Sequence, residues 1–301
     1  MKKIMAITLC MLVFLSGFSM ISAASSEMEN LKQQNDLSNT SSDDVEYYAL
    51  IIGVEIFEGV EYPDETFIDE DALKMYDILA NSLNWDEENI KLLLNEDATK
   101  DNIHDAITVW LDEREDKNDV VLIFFSDHGW RMPLKNRLQG NAYVFTYNVT
   151  HWSFDDTKIS DKELDSWIDV LESKNIAIFL EHCFSGRMLH LRQHGRVVLT
   201  AGGRFLSCPV DEDDDLESGI WSFFIFQGFD VVADINNDGW ITAEEVFRYA
   251  RKPTFWFSFW KQFPFTEYLI KEGIFVGPQI PFIYDRHIGQ IPLIQYRLVV
   301  E

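Results

Sequence analysis

The chain has 301 residues, 47% of them apolar, with 51 acidic against 25 basic side chains and a net charge of −26. That length and apolar content support one large domain or two small ones, and 23 Phe, 10 Tyr and 9 Trp exclude a solvated coil. The charge argues against nucleic acid or an anionic membrane as partner, because phosphate binding relies on Lys and Arg; cationic substrates, metal ions or solubility remain.

Met1 to Ala24 reads as an export signal: Lys2 and Lys3, an apolar run from Ile4 to Ile21, then the small residues Ser22, Ala23 and Ala24. An uncleaved membrane anchor is the alternative, and either way the bulk of the protein is expected outside the cytoplasm, with membrane contact only through this segment. Residues 25–44 are polar and aperiodic, as a linker is. From Tyr47 short apolar runs alternate with helical periodicity. The runs are Tyr47–Gly53, Ile90–Leu94, Val120–Phe125, Ile176–Leu180 and Arg196–Thr200. Most are continuous rather than alternating, as in strands buried on both faces. Helices are expected over Asp69 to Leu83, over Thr99 to Arg114, and from a Ser160/Glu163 capping box through Leu171. The alternation predicts an α/β fold: a mostly parallel sheet with helices on both faces, its active residues just beyond the carboxyl ends of the strands.

Two strand ends carry chemistry. The third strand runs into Ser126-Asp127-His128-Gly129 and the fourth into Glu181-His182-Cys183-Phe184-Ser185-Gly186. If the strands are neighbours, His128 and Cys183 stand side by side, and an imidazole raises the thiolate fraction of a cysteine. Gly129 and Gly186 let the backbone turn sharply and offer N–H groups to a developing oxyanion. Taken singly, a strand-end Cys is usually a small core residue and a strand-end His a satisfied polar group; together they form a specific pair. His182 and Asp127 point to the opposite face by strand alternation and are expected to be structural.

VLIFFSDHG and IAIFLEHCFSG resemble the two catalytic segments of the caspase-like cysteine peptidases, the group of caspases, metacaspases and legumains, and their separation is similar to the caspase spacing of about 50 residues. The resemblance extends from about Tyr48 to Leu293 and implies a three-layer caspase-like sandwich over residues 45–301. By position it makes Cys183 the nucleophile, His128 the general base, and the N–H groups of Gly129 and Cys183 the oxyanion donors. Glu181 falls where an acid lines the specificity pocket. In metacaspase-like members an Asp there goes with Arg or Lys before the scissile bond, whereas Glu in legumain-like members goes with Asn. Legumains also place an Arg between the positions of Gly53 and Ala72; this chain has no basic residue there, so a basic side chain is the first choice.

Asp234 to Glu245 matches the EF-hand loop pattern. Asp234, Asn236, Asp238, the Trp240 carbonyl, Thr242 and a bidentate Glu245 would supply oxygen ligands to Ca2+, with Gly239 at the sharp turn and Ile241 pinning the loop to the core. Asp211 to Glu217 packs six acids into seven residues and reads as an exposed loop. Cys10 lies in the signal, so Cys183 is expected to stay reduced or, as the alternative, to pair with Cys208. Phe255 to Phe265 is aromatic-rich, with packing favoured over a membrane or partner patch. The expectation is an exported, calcium-binding cysteine endopeptidase acting on peptide or protein substrates. A silent calcium-binding domain and a legumain-like Asn-specific peptidase or transpeptidase are its rivals.

Overall fold

The computed structural model describes residues 45–58, 67–132, 140–150, 154–203, 216–262 and 278–296. The signal segment, the linker, Cys208 and Asp211 to Asp215 of the acidic run lie outside the described residues.

All five expected strands form: β1 (Tyr47–Gly53), β2 (Ile90–Leu94), β3 (Val120–Ser126), and, later in the chain, Asn175–Glu181 and Arg196–Thr200. Between β1 and β2 lies α1 (Ile68–Ala80), whose first-turn acids Asp69, Glu70 and Asp71 complement the helix dipole. Between β2 and β3, Thr99 caps α2 (Lys100–Asp105), which continues as a π-helical turn from Ala106 to Leu111. A small antiparallel sheet follows: β4 (Gly129–Arg131), β5 (Ala142–Val144) and β6 (Ile159–Ser160). Ser160 then opens α3 (Asp161–Ile168) with the expected capping box, its Oγ accepting from Glu163 N while Glu163 Oε2 accepts from Ser160 N. The chain goes on through β7 (Asn175–Glu181), β8 (Arg196–Thr200), α4 (Ile220–Gln227), β9 (Trp240–Thr242), α5 (Ala243–Gln262), β10 (Phe282–Asp285) and β11 (Pro292–Gln295).

The main sheet has the order β10-β8-β7-β3-β1-β2, parallel throughout except for the antiparallel edge strand β10. Every residue of β1 and β3 is buried, which is why these runs are apolar at both parities. The parities nevertheless serve different cores. Ala49, Ile51, Leu122, Phe124, Ala177 and Phe179 pack with α1, α4 and α5 residues such as Met75, Trp221 and Val246. Leu50, Ile52, Ile123, Phe125, Ile178 and Leu180 pack on the other face with Ile103, Ile107, Leu164 and Ile168 of the α2–α3 side. The result is the expected three-layer α/β arrangement.

Candidate active site

β3 and β7 are neighbours, in register from Val120 against Asn175 to Ser126 against Glu181. His128 and Cys183 are each two residues beyond that last pair, so both follow the same end of the sheet on neighbouring strands. Asp127 N donates to Glu181 O at 3.1 Å, carrying the pairing one step past the strands. Cys183 is half-buried and packs toward the α1–α4–α5 face.

His128 is half-buried, its ring centroid 5.7 Å from that of Phe57. Burial lowers its pKa below the ordinary imidazole value, so the ring is a neutral base near pH 7. The neighbouring Gly129 is dictated by space: a Cβ there would sit 2.3 Å from His182 Nδ1 and 2.5 Å from Cys183 O. No other residue lets β4 leave β3 so close under the Cys183 peptide.

His182 is buried, and its Nδ1 donates to the Cys183 carbonyl at 3.0 Å. Burial pushes its pKa down to about 4, which keeps this imidazole neutral as well. It supports the peptide that carries Cys183 and does not titrate near neutrality. Asp127 is also buried, and burial holds its carboxyl well above the usual range despite the His128 and Phe145 backbone N–H groups that oppose the shift.

On the Cys183 side of the sheet lies a pair of buried acids. Glu181 Oε2 accepts from Ser222 N at 2.8 Å and from Ser222 Oγ at 2.9 Å, while its Oε1 faces Gln279 Nε2 at 3.4 Å. Asp71, from the first turn of α1, accepts from Gly219 N at 3.0 Å, from Ser218 Oγ, and from Ser126 Oγ at 3.4 Å. Gly219 is wedged against both: a Cβ there would lie 2.9 Å from Asp71 Oδ2 and 3.0 Å from Glu181 Cδ. Burial, then the charge of Asp71, pushes Glu181 up to about 8; burial likewise pushes Asp71 up to about 7. Among the described residues no lysine or arginine forms an ion pair with either acid. Asp71 is the residue that sequence reasoning missed.

The Caspase domain family matches residues 46–238, well over half of the chain. This protein belongs to the caspase-domain family. Its fold is similar to that of protein GSU0716 from Geobacter sulfurreducens, with a TM-score of 0.54 at 12% identity over 84% of this chain and 98% of that one. It is also similar to caspase-1 from Spodoptera frugiperda, with a TM-score of 0.53 at 9% identity over 85% and 92% of the two chains. A search of the curated proteins found no match. Membership in a caspase-domain family implies protein substrates.

The family match covers His128, Cys183, Glu181 and Asp71 but ends inside the acidic loop that follows α4. That loop is held by its own side chains and backbone. Asp234 accepts from Asp238 N at 3.2 Å and Gly239 N at 3.1 Å, Asp238 Oδ1 accepts from Trp240 N at 2.9 Å, and Asn236 Nδ2 donates to Asp238 Oδ2 at 2.9 Å. Gly239 has φ +89°, the left-handed turn for which its pattern reserves glycine. β9 pairs with β11, Ile241 opposite Ile294 in the core, so the C-terminal segment clamps the loop. Glu245 is turned to its own helix: Oε2 accepts from Thr242 N at 3.1 Å and Thr242 Oγ1 at 3.0 Å. The donor types are the oxygen ligands a hard cation takes, while the Glu245 carboxylate is engaged as a cap by Thr242 N and Oγ1.

Proposed function

We propose that this protein is an exported cysteine endopeptidase that cleaves after a basic residue. What supports the reading is that β3 and β7, which run on into His128 and Cys183, are neighbours in register and end beside two buried acids. His128 takes the thiol proton, and Cys183 Sγ attacks the carbonyl carbon of the scissile peptide bond. The N–H groups of Gly129 and Cys183 receive the oxyanion, and the amine leaves with the proton from His128. Water, deprotonated by His128, then opens the thioester. A buried neutral imidazole suits this exchange, because it starts as a base and becomes charged only when it has taken the proton.

Specificity follows from charge balance. Two adjacent buried carboxylates repel each other and retain protons. An arginine or lysine side chain entering beside Glu181 and Asp71 would supply the missing counter-ion and displace those protons. The permanently charged guanidinium is the better match. Calcium, in this reading, is held by Asp234, Asn236, Asp238, the Trp240 carbonyl, Thr242 and Glu245. It supplies a fixed positive charge that ties the start of α5 to the end of α4.

A fluorogenic peptide panel with Arg, Lys, Asn or Asp before the scissile bond tests the proposal, run with calcium and with chelator beside Cys183→Ala. Cleavage after Arg and Lys that vanishes in Cys183→Ala is expected. No turnover of any peptide, with no labelling of Cys183 by a vinyl sulfone, would overturn it in favour of a silent calcium-binding domain.

A further inference from the structure

The aromatic stretch that begins at Phe255 does not pack wholly into the core. α5 runs unbroken through Pro253 to Gln262 and presents one exposed face. Arg248, Arg251 and Lys252 are exposed on it, followed at helical spacing by Trp256, 46% exposed, and Trp260, 64% exposed. Phe255 and Phe259 stack at 6.2 Å in the same stripe, and Trp256 and Trp260 meet Phe259 at 6.0 and 5.6 Å. The opposite face is closed: Val246, Phe247, Ala250, Thr254 and Ser258 are buried. From Val246 to Gln262 the helix carries no acid, although the chain as a whole has a net charge of −26. An acid-free, cationic and indole-rich stripe is the local reverse of the rest of this surface.

We propose that this face of α5 seats the protein on an anionic lipid bilayer. The helix would lie in the plane of the interface, its indoles at the headgroup level and its three cations on lipid phosphates. No helix of the described residues is long and apolar enough to cross a membrane, so the contact is one of lying on rather than spanning. Charge complementarity selects this occupant. A bilayer meets one face only, and the acids elsewhere on the molecule are screened beyond a Debye length of about 8 Å. The overall charge therefore disfavours anionic partners in general without disfavouring this geometry.

The test uses the full chain with vesicles of phosphatidylcholine alone or mixed with phosphatidylglycerol, each containing bromine-labelled lipid that quenches indole fluorescence at short range. Met1 to Asp44 holds no tryptophan, so binding through the N-terminal apolar segment leaves the Trp256 and Trp260 signal untouched. That signal is the difference between the wild type and Trp256→Phe/Trp260→Phe. Quenching on phosphatidylglycerol vesicles is expected, with partitioning of this face weakened on the order of 100-fold in Arg248→Gln/Arg251→Gln/Lys252→Gln at physiological salt. Those three side chains are exposed, so the variant keeps its fold. Equal quenching on neutral and anionic vesicles, or none on either, overturns the proposal. So does a concentration-dependent dimer that the charge variant abolishes.

Discussion

Replacing Glu181 by Gln should make the protein more stable and less active, and the two effects have one cause. Glu181 titrates at about 8 in the folded chain against an ordinary value of 4.5. An acid with a raised folded pKa contributes fully to stability below the unfolded value. The contribution is lost as pH climbs from 4.5 to about 8, because the unfolded chain ionises first. At pH 7 the loss is at most about 3 kcal/mol, at roughly 1.4 kcal/mol per pH unit. Gln keeps an oxygen for Ser222 N and Oγ, which now donate at 2.8 and 2.9 Å, but it does not titrate. Its Tm at pH 7 to 8 should therefore rise by about 5 to 10 °C, with little change at pH 4. Turnover of Arg and Lys peptides should move the other way. Removing one partner of a buried ion pair costs about 3 to 5 kcal/mol, or on the order of 100- to 5000-fold in kcat/KM. Thermal melts across pH 4 to 8 and steady-state kinetics on the peptide panel read both quantities. A variant that cleaves Arg peptides within threefold of wild type removes Glu181 from substrate recognition. One that melts lower than wild type at pH 8 refutes the electrostatic argument itself.

Other consequences can be checked separately. The kcat/KM for Arg peptides should rise with pH between about 6 and 8 as Asp71 and Glu181 release their protons, their folded values being about 7 and about 8. An Asn peptide, which profits from a protonated acid as donor, should show no such rise. Gly129→Ala should abolish cleavage and destabilise the domain by about 1 to 3 kcal/mol in denaturant titration, since its Cβ has no room 2.3 Å from the His182 ring. Because His182 is neutral down to about pH 4, His182→Gln should lower stability and turnover while leaving the shape of the pH–rate profile between 5 and 8 unchanged. Calcium at about 100 times its Kd should raise Tm by roughly 5 to 10 °C, and Asp234→Asn with Glu245→Gln should remove that shift.

The sheet was legible because its strands are buried on both faces. Runs such as Val120 to Phe125 are apolar at every position, and only the central strands of a parallel sheet ask for that. That His128 and Cys183 follow neighbouring strands was legible for a related reason. Parallel strands end together, so the residues after two neighbouring apolar runs share one rim, and Gly129 marks the place where the backbone must turn in tight space. Asp71 was not legible. In sequence it is one of three acids that open an amphipathic helix, equivalent to Asp69 and Glu70 by any local rule. What singles it out is the descent of Ser218 and Gly219 onto its carboxylate from about 150 positions away, a contact no local pattern encodes. Nothing local announces that α5 runs on to Gln262, because proline usually ends a helix. Here the helix carries on past Pro253, with Thr254 and Ser258 returning their hydroxyls to the backbone one turn earlier at 2.8 Å each. The π-helical turn after α2 left no local mark either, since Ile103, Ile107 and Leu111 keep their inward spacing through it.

The acid excess of the chain thus divides into charges of different physical kind. Most are solvated and serve solubility. Asp234 and Asp238 accept from backbone N–H groups of their own loop, which orient their carboxylates. Glu181 and Asp71 are different again. They are buried, and burial raises both pKa values. In the proposed reading an entering Arg or Lys would displace their protons and relieve the desolvation of two carboxylates at once, whereas a neutral side chain of the same length would relieve nothing. Selectivity for a basic residue should therefore weaken as pH falls and both acids protonate; comparing two substrates at each pH cancels the titration of the His128 base, which they share. The ratio of kcat/KM for Arg over an uncharged isostere such as citrulline, followed from pH 8 to pH 5.5, isolates that effect. A ratio that stays flat would mean that shape, and not the buried acid pair, selects the substrate.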